Sequence, residues 1–187
     1  MTRAFASLSP QEALHVAIFI EERNADIYQR FAEMFNEFRD AESLEIASVF
    51  WDMSVEEKRH STLLQGRYQE LFGNTACAVT EEGLKEMIEV PKLESGDVFA
   101  AAEVSQANPR ERAIRVALEA EKSAQNFYRQ LVIKTSNQAL RRLYLELSAM
   151  EEGHVTYLQN VLVTAPGGRR KCSEAVKNWQ PLKPASR

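Results

Sequence analysis

One pattern of acid, imidazole and apolar residues occurs twice in the chain, and this repeat limits the possible folds more than any other feature. At an offset of 94, Ser54, Glu57, His60, Thr62 and Leu64 recur as Ser148, Glu151, His154, Thr156 and Leu158. At an offset of 100, Ala13, Val16, Ala17, Glu21 and Tyr28 recur as Ala113, Val116, Ala117, Glu121 and Tyr128. Two copies of one unit are therefore expected. In each, a first element carries a Glu among apolar residues and a second carries Glu-x-x-His.

The periodicity identifies these elements as helices. The first opens at Ser9-Pro10-Gln11-Glu12, where Ser9 can cap, Pro10 suits the first turn and Glu12 completes a capping box. Its apolar stripe, Leu14, Ala17, Ile18, Ile27, Tyr28, Phe31, Phe35 and Phe38, keeps a period near 3.6. Asp40 can cap a second helix with Leu44, Ala47, Phe50, Leu64, Tyr68 and Leu71 on its stripe, ended by Gly73. Asn108-Pro109 opens a third, with Ile114, Ala117, Leu118, Tyr128, Leu131 and Val132. Thr135-Ser136-Asn137 turns the chain into a fourth, with Leu140, Leu143, Leu147, Leu158 and Val161. Phe50 and Trp51 read as core aromatics. The low content of seven Gly and six Pro agrees with long regular elements.

Short connections make helices 1 and 2, and helices 3 and 4, antiparallel hairpins. The 36 residues of 74–109 between them can reach about 120 Å at ~3.3 Å each. A 30-residue helix is only about 45 Å long. The expected fold is all-α: a four-helix bundle of two antiparallel hairpins joined by a long crossover, within residues 1–163. Thr80–Glu89 has the pattern of a short helix inside the crossover. Residues 164–187 carry six basic side chains against Glu174 alone, so they form a basic tail while the remaining −4 − (+5) = −9 lies in the bundle. The tail lacks the length and aromatic interleaving of a nucleic-acid module, and no nucleic-acid partner is expected.

The longest apolar runs, near Val16–Ile20 and Val98–Val104, are too short to span a bilayer. No basic segment followed by an apolar one opens the chain, so a cytoplasmic protein without a secretory signal is expected. Cys77 and Cys172 form no CxxC, which argues against a disulfide framework or a four-cysteine metal site.

The repeated polar residues carry the chemistry. Glu57 and His60, like Glu151 and His154, share a helical face because i and i+3 are neighbours. Glu21 and Glu121 sit in apolar stripes, where a bare charge is costly. From residue 40, Glu21 is 19 positions back and His60 is 20 ahead; from Ser136, Glu121 and Glu151 are each 15 away. Antiparallel hairpins thus bring four carboxylates and two imidazoles to one level. Divalent metal is the natural compensation for such a core, and mixed Glu/His ligation suits iron, manganese or zinc. His15 reads as a surface or packing residue. Glu22, Glu56, Glu119 and Glu152 read as solvated neighbours of the site. Tyr28 and Tyr128 lie two turns beyond their Glu and suit either core packing or a hydrogen bond to a ligand.

With these residues in place, the chain resembles the rubrerythrin-like branch of the ferritin superfamily over roughly residues 9–163. It is most similar to the ferritin-like N-terminal domain of membrane-bound ferritins fused to vacuolar-iron-transporter-type domains. The stretches Leu14–Phe35 and Phe50–His60 carry the likeness. The resemblance implies a ferritin-like bundle with two iron ions, replaceable by Mn or Zn, held by Glu21, Glu57, His60, Glu121, Glu151 and His154. Glu57 and Glu151 are the expected catalytic, shared ligands. It also implies reaction of Fe(II) with oxygen or peroxide, a ferroxidase-like oxidoreductase role in iron or oxidative-stress homeostasis.

Two features set this chain apart from the resembled proteins. The sequence holds neither a transporter-type domain nor a four-cysteine rubredoxin-like module, so an export role would need a membrane iron transporter as partner or a longer parent chain, and an external electron donor is an expected partner, alongside self-association as a homodimer. Rubrerythrins look to use a second Glu three residues past the third-helix ligand, and Ala124 stands there. That predicts against rubrerythrin-style ligand movement and efficient peroxidase activity. The alternative role is a non-catalytic iron-binding or sensing module acting through a partner.

Overall fold

The computed structural model describes residues 8–75, Val79 and residues 109–164. The expected short helix at Thr80–Glu89, most of the crossover, both cysteines and the basic tail lie outside the described residues. Four helices lie among the described residues: α1 (Pro10–Phe38), α2 (Ala41–Phe72), α3 (Pro109–Lys134) and α4 (Gln138–Thr164). There is no strand among the described residues.

The ends of the helices follow from local chemistry. Ser9 Oγ accepts the Glu12 N–H at 3.2 Å, and Glu12 Oε2 accepts the Ser9 N–H at 2.8 Å, which closes the expected capping box. Arg39, with φ 56°, breaks α1 in a left-handed conformation. Asp40 then caps α2 by accepting the Ser43 N–H at 2.9 Å. Gly73 closes α2 at φ 59°, where a side chain is disfavoured, and donates to Gln69 O at 3.0 Å. Asn137 Oδ1 caps α4 through the N–H groups of Ala139 (2.9 Å) and Leu140 (3.2 Å).

α1 and α2 form one antiparallel hairpin, and α3 and α4 the other. Arg110, at the start of α3, donates to Asp40 Oδ1 at 2.6 Å and to Ser43 Oγ at 2.8 Å, and also pairs with Glu42. The start of α3 is thereby tied to the turn between α1 and α2. The end of α2, 32 residues along and so about 48 Å away, lies at the opposite end of the bundle. This is the separation that a long crossover requires.

The core has two apolar layers. One, beside the α1–α2 turn, packs Ile27, Phe31, Phe35, Phe50, Ile114 and Leu158 with their neighbours. Phe50 is its hub, with ring centroids 5.0 Å from Phe31 and 6.0 Å from both Tyr28 and Phe35. The other, at the far end, packs Leu14, Val16, Leu64, Phe127, Leu140 and Leu147. The repeated Glu and His positions fall between these layers along every helix.

Four stripe assignments need correction. Trp51 is 52% exposed, because one residue beyond the buried Phe50 the helix has turned about 100°. Phe38 is 58% exposed; it is the last residue of α1, past the end of the core. Leu44 and Leu71, near the two ends of α2, are exposed as well. None of the described helices is long and apolar enough to cross a membrane.

Candidate metal centre

Glu21 from α1, Glu57 and His60 from α2, Glu121 from α3, and Glu151 and His154 from α4 are all buried in the polar layer. Each helix delivers its residue by the same logic. Apolar neighbours one turn above and below fix the face, and that face turns to the bundle axis. Two donor sets result. In the first, Glu21, Glu57, His60 and Glu151 offer ligand atoms within 4.8 Å of one another. In the second, Glu57, Glu121, Glu151 and His154 do the same. Glu57 and Glu151 belong to both.

Both imidazoles present Nδ1 to the carboxylates. His60 Nδ1 lies 3.2 Å from Glu21 Oε2, 3.6 Å from Glu57 Oε2 and 3.7 Å from Glu151 Oε1. His154 Nδ1 lies 3.0 Å from Glu57 Oε1, 3.3 Å from Glu121 Oε2 and 3.8 Å from Glu151 Oε2. The two rings stack with centroids 5.7 Å apart. Two tyrosines complete the layer. The Tyr28 hydroxyl donates to Glu121 Oε1 at 2.5 Å, and the Tyr128 hydroxyl donates to Glu21 Oε1. Their place two turns from a Glu marked them in the sequence, but each serves the Glu of the opposite hairpin rather than its own.

The flanking candidates separate clearly. Glu22 turns to Ser61 and Gln65, Glu119 pairs with Lys122, and Glu152 faces Arg129, all on outer surfaces. Glu12 and His15 also have the Glu-x-x-His spacing. Glu12 is engaged in the capping box, however, and half-buried His15 lies against Tyr68. Glu56 corrects the sequence expectation. Its side chain is only 13% exposed, and its Oε2 lies 3.0 Å from His154 Nε2. Residue spacing along one helix gave no sign of this, because the partner is on α4.

Without metal, protons balance the layer. Burial and the charge of Glu57 push the Glu21 carboxyl up to about 8, against a lowering influence from His60. Burial, with repulsion from Glu57, Glu121 and Glu21, raises Glu151 well above the carboxylate range. Burial also works upward on Glu57, but the imidazoles of His154 and His60 outweigh it and hold this carboxyl low. Burial disfavours the charged form of His60, yet Glu21 and Glu57 overcome that and lift it to about 10. His154 is raised in the same way, chiefly by Glu121. Burial and the adjacent Glu121 and Glu21 keep Tyr28 and Tyr128 protonated, as hydrogen-bond donors.

The donor chemistry of these residues fits divalent metal. Neither carboxylate oxygen of Glu57 or of Glu151 accepts a hydrogen bond within the described residues, although all four atoms are fully enclosed. Buried carboxylate oxygens of this kind are strongly unfavourable unless a cation or proton meets them. The shared pair is thus the place where the protein itself satisfies its acids least.

A family model described as Rubrerythrin matches residues 12–110, more than half of the 187-residue chain. The chain belongs to the rubrerythrin family. The matched stretch contains Glu21, Glu57 and His60, and the internal repeat relates Glu121, Glu151 and His154 to them. A similar fold is seen in a solved structure, an uncharacterised conserved protein from Magnetospirillum magnetotacticum MS-1. It is 19% identical, with a TM-score of 0.66, covering 88% of this chain and 100% of that one. At that identity the likeness speaks to the fold alone. Comparison with curated proteins gives no match.

Proposed function

We propose that this rubrerythrin-family protein is a di-iron carboxylate protein that oxidises Fe(II) with oxygen or peroxide. The observation that carries this reading is the pair of overlapping donor sets, joined through Glu57 and Glu151. Two separate sites would only bind; two sites with common ligands can act as one redox unit. Iron in both positions supplies two one-electron oxidations side by side.

The chain's own residues prepare that chemistry. Glu21 and His60 would hold one position, Glu121 and His154 the other, and Glu57 and Glu151 would serve both. Tyr128 and Tyr28 fix the rotamers of Glu21 and Glu121 by donating to one oxygen of each, which leaves the other oxygen for the site. The two apolar layers exclude bulk water above and below, so charge interactions in the polar layer are strong. Glu21, Glu151 and the imidazoles, which hold protons in the metal-free protein, would have to release them to bind a cation.

Metal analysis together with an Fe(II) oxidation assay under air tests the reading. Two metals per chain and oxidation of many Fe(II) per site are expected. Oxidation that stops once the site is filled rejects turnover and favours a binding or sensing role. One metal or fewer per chain at saturation rejects the two-metal centre itself.

A further inference from the structure

The internal repeat makes the two metal positions nearly equivalent, and Glu56 is where the equivalence fails. At the offset of 94 that relates Glu57 to Glu151 and His60 to His154, Glu56 corresponds to Met150. The difference falls next to the imidazoles. His154 turns Nδ1 to Glu57, Glu121 and Glu151, and its Nε2 meets Glu56 Oε2 at 3.0 Å. His60 turns Nδ1 to the carboxylates in the same way, but its Nε2 makes no hydrogen bond among the described residues.

A carboxylate at 3.0 Å from Nε2 can only accept, so it selects the tautomer with the proton on Nε2. In that tautomer the Nδ1 lone pair points into the donor set formed by Glu57, Glu121, Glu151 and His154. The negative charge behind the ring also makes Nδ1 a stronger donor to a cation. His60 receives neither the orientation nor the charge. Glu56 comes from the first hairpin and His154 from the second, so this contact forms only when the hairpins are packed together.

We propose that Glu56 is a positioning residue for His154 and makes the position containing His154 the tighter of the two metal sites. The two positions then fill in order: first Glu57, Glu121, Glu151 and His154, then Glu21 and His60 with the shared pair. This inference rests on the two-metal reading above.

Co(II) titration of the metal-free protein, followed by its visible absorption, tests it. The parent is expected to bind two Co(II) in resolved steps. Glu56→Ala is expected to weaken the tighter step by about 10- to 100-fold, the usual range for loss of such a support, and to leave the weaker step in place. Glu56→Gln keeps an acceptor oxygen without the charge and is expected to fall between. Met150→Glu, which installs the missing acid at the repeat-related position, is expected to tighten the weaker step. In the Co(II)-loaded parent, proton NMR is expected to show one imidazole N–H more protected from solvent exchange than the other, and Glu56→Ala is expected to remove the difference. Glu56 lies at the edge of the core, and circular dichroism verifies that each variant is folded. Steps unmoved by both Glu56 variants, or shifted equally, overturn the role of Glu56 while leaving the two-metal centre standing. Fewer than two Co(II) in the parent overturns both.

Discussion

The Tyr128 hydroxyl donates to Glu21, 107 positions earlier and in the opposite hairpin, while Tyr28 donates to Glu121, 93 positions later. The two bonds cross the bundle in opposite directions, so each hairpin orients the first-helix acid of the other. Neither hairpin alone presents a complete donor set, and packing of the two halves is coupled to assembly of the site. Tyr128→Phe removes one donor from a buried acid and leaves the ring in place. We expect a folded protein whose affinity for the position containing Glu21 falls about tenfold, measured by metal titration. An isotherm identical to the parent's would mean that packing alone fixes Glu21.

Adjacent aromatic residues give a test of the core. Phe50 is fully buried among three other rings, whereas Trp51 is half exposed. Phe50→Ala is expected to cost about 3–5 kcal/mol, and Trp51→Ala less than about 1 kcal/mol. Chemical denaturation of both variants in metal-free form decides between this arrangement and one with both rings inside. Comparable losses would place both rings inside.

The fold was largely legible because its signals are local. Ser9 with Glu12, Asp40 and Asn137 cap where their side chains can reach nearby N–H groups, and stripes of period 3.6 fix the buried faces. That these six residues come together was legible for a different reason. Glu-x-x-His spacing by itself is not decisive, as Glu12 and His15 show, but repetition together with apolar surroundings separates Glu57–His60 and Glu151–His154 from that third case. What could not be read was side-chain contact between hairpins. Glu56 follows the outer-face pattern of its own helix and becomes a partner of His154 only through the packing of α2 against α4. The crossed choice of Tyr28 and Tyr128 is hidden for the same reason. Trp51 misled because hydrophobicity, without its angular position, says nothing about which way a side chain turns.

Metal binding is expected to stabilise the fold, since the enclosed oxygens of Glu57 and Glu151 have imidazoles nearby but accept no well-formed hydrogen bond within the described residues. Free Fe(II) or Mn(II) at ~100 times its dissociation constant gives roughly 2.7 kcal/mol by mass action. The melting temperature should climb steadily with metal concentration and fall back on chelation. A flat melting temperature across an anaerobic Fe(II) titration counts against a site in the folded core.

Glu151 and Glu152 are neighbouring residues of one type on opposite sides of the question. Glu151 is fully buried and belongs to both donor sets, whereas Glu152 faces solvent near Arg129. Glu151→Ala should reduce bound metal below two per chain. It should also lower Fe(II) oxidation by more than the roughly 100-fold upper range for outer-shell losses. Glu152→Ala should match the parent in both. Equal loss in the two variants would contradict the shared-ligand role.

The metal-free protein should lose stability as pH rises, a direction set by the buried acids and imidazoles together. The Glu21 carboxyl is raised from 4.5 to about 8 in the folded state by burial and by Glu57. Its favourable contribution is therefore complete below the unfolded value and disappears as pH climbs through the folded one. His60 is raised from 6.5 to about 10, with Glu21 and Glu57 overcoming burial. It contributes most below its unfolded value and nothing above its folded value. Glu57, held low by His154 and His60 despite burial, acts oppositely, and its contribution is lost only in acid. Stability without metal should therefore peak in weak acid and decline from about pH 4.5, where unfolded Glu21 loses its proton, to about pH 10, where folded His60 does. Metal must displace the same protons, so its affinity should rise over that interval. Melting curves with and without Mn(II) across the range should diverge as pH increases. Parallel curves would mean that the protons are not held where burial and charge place them.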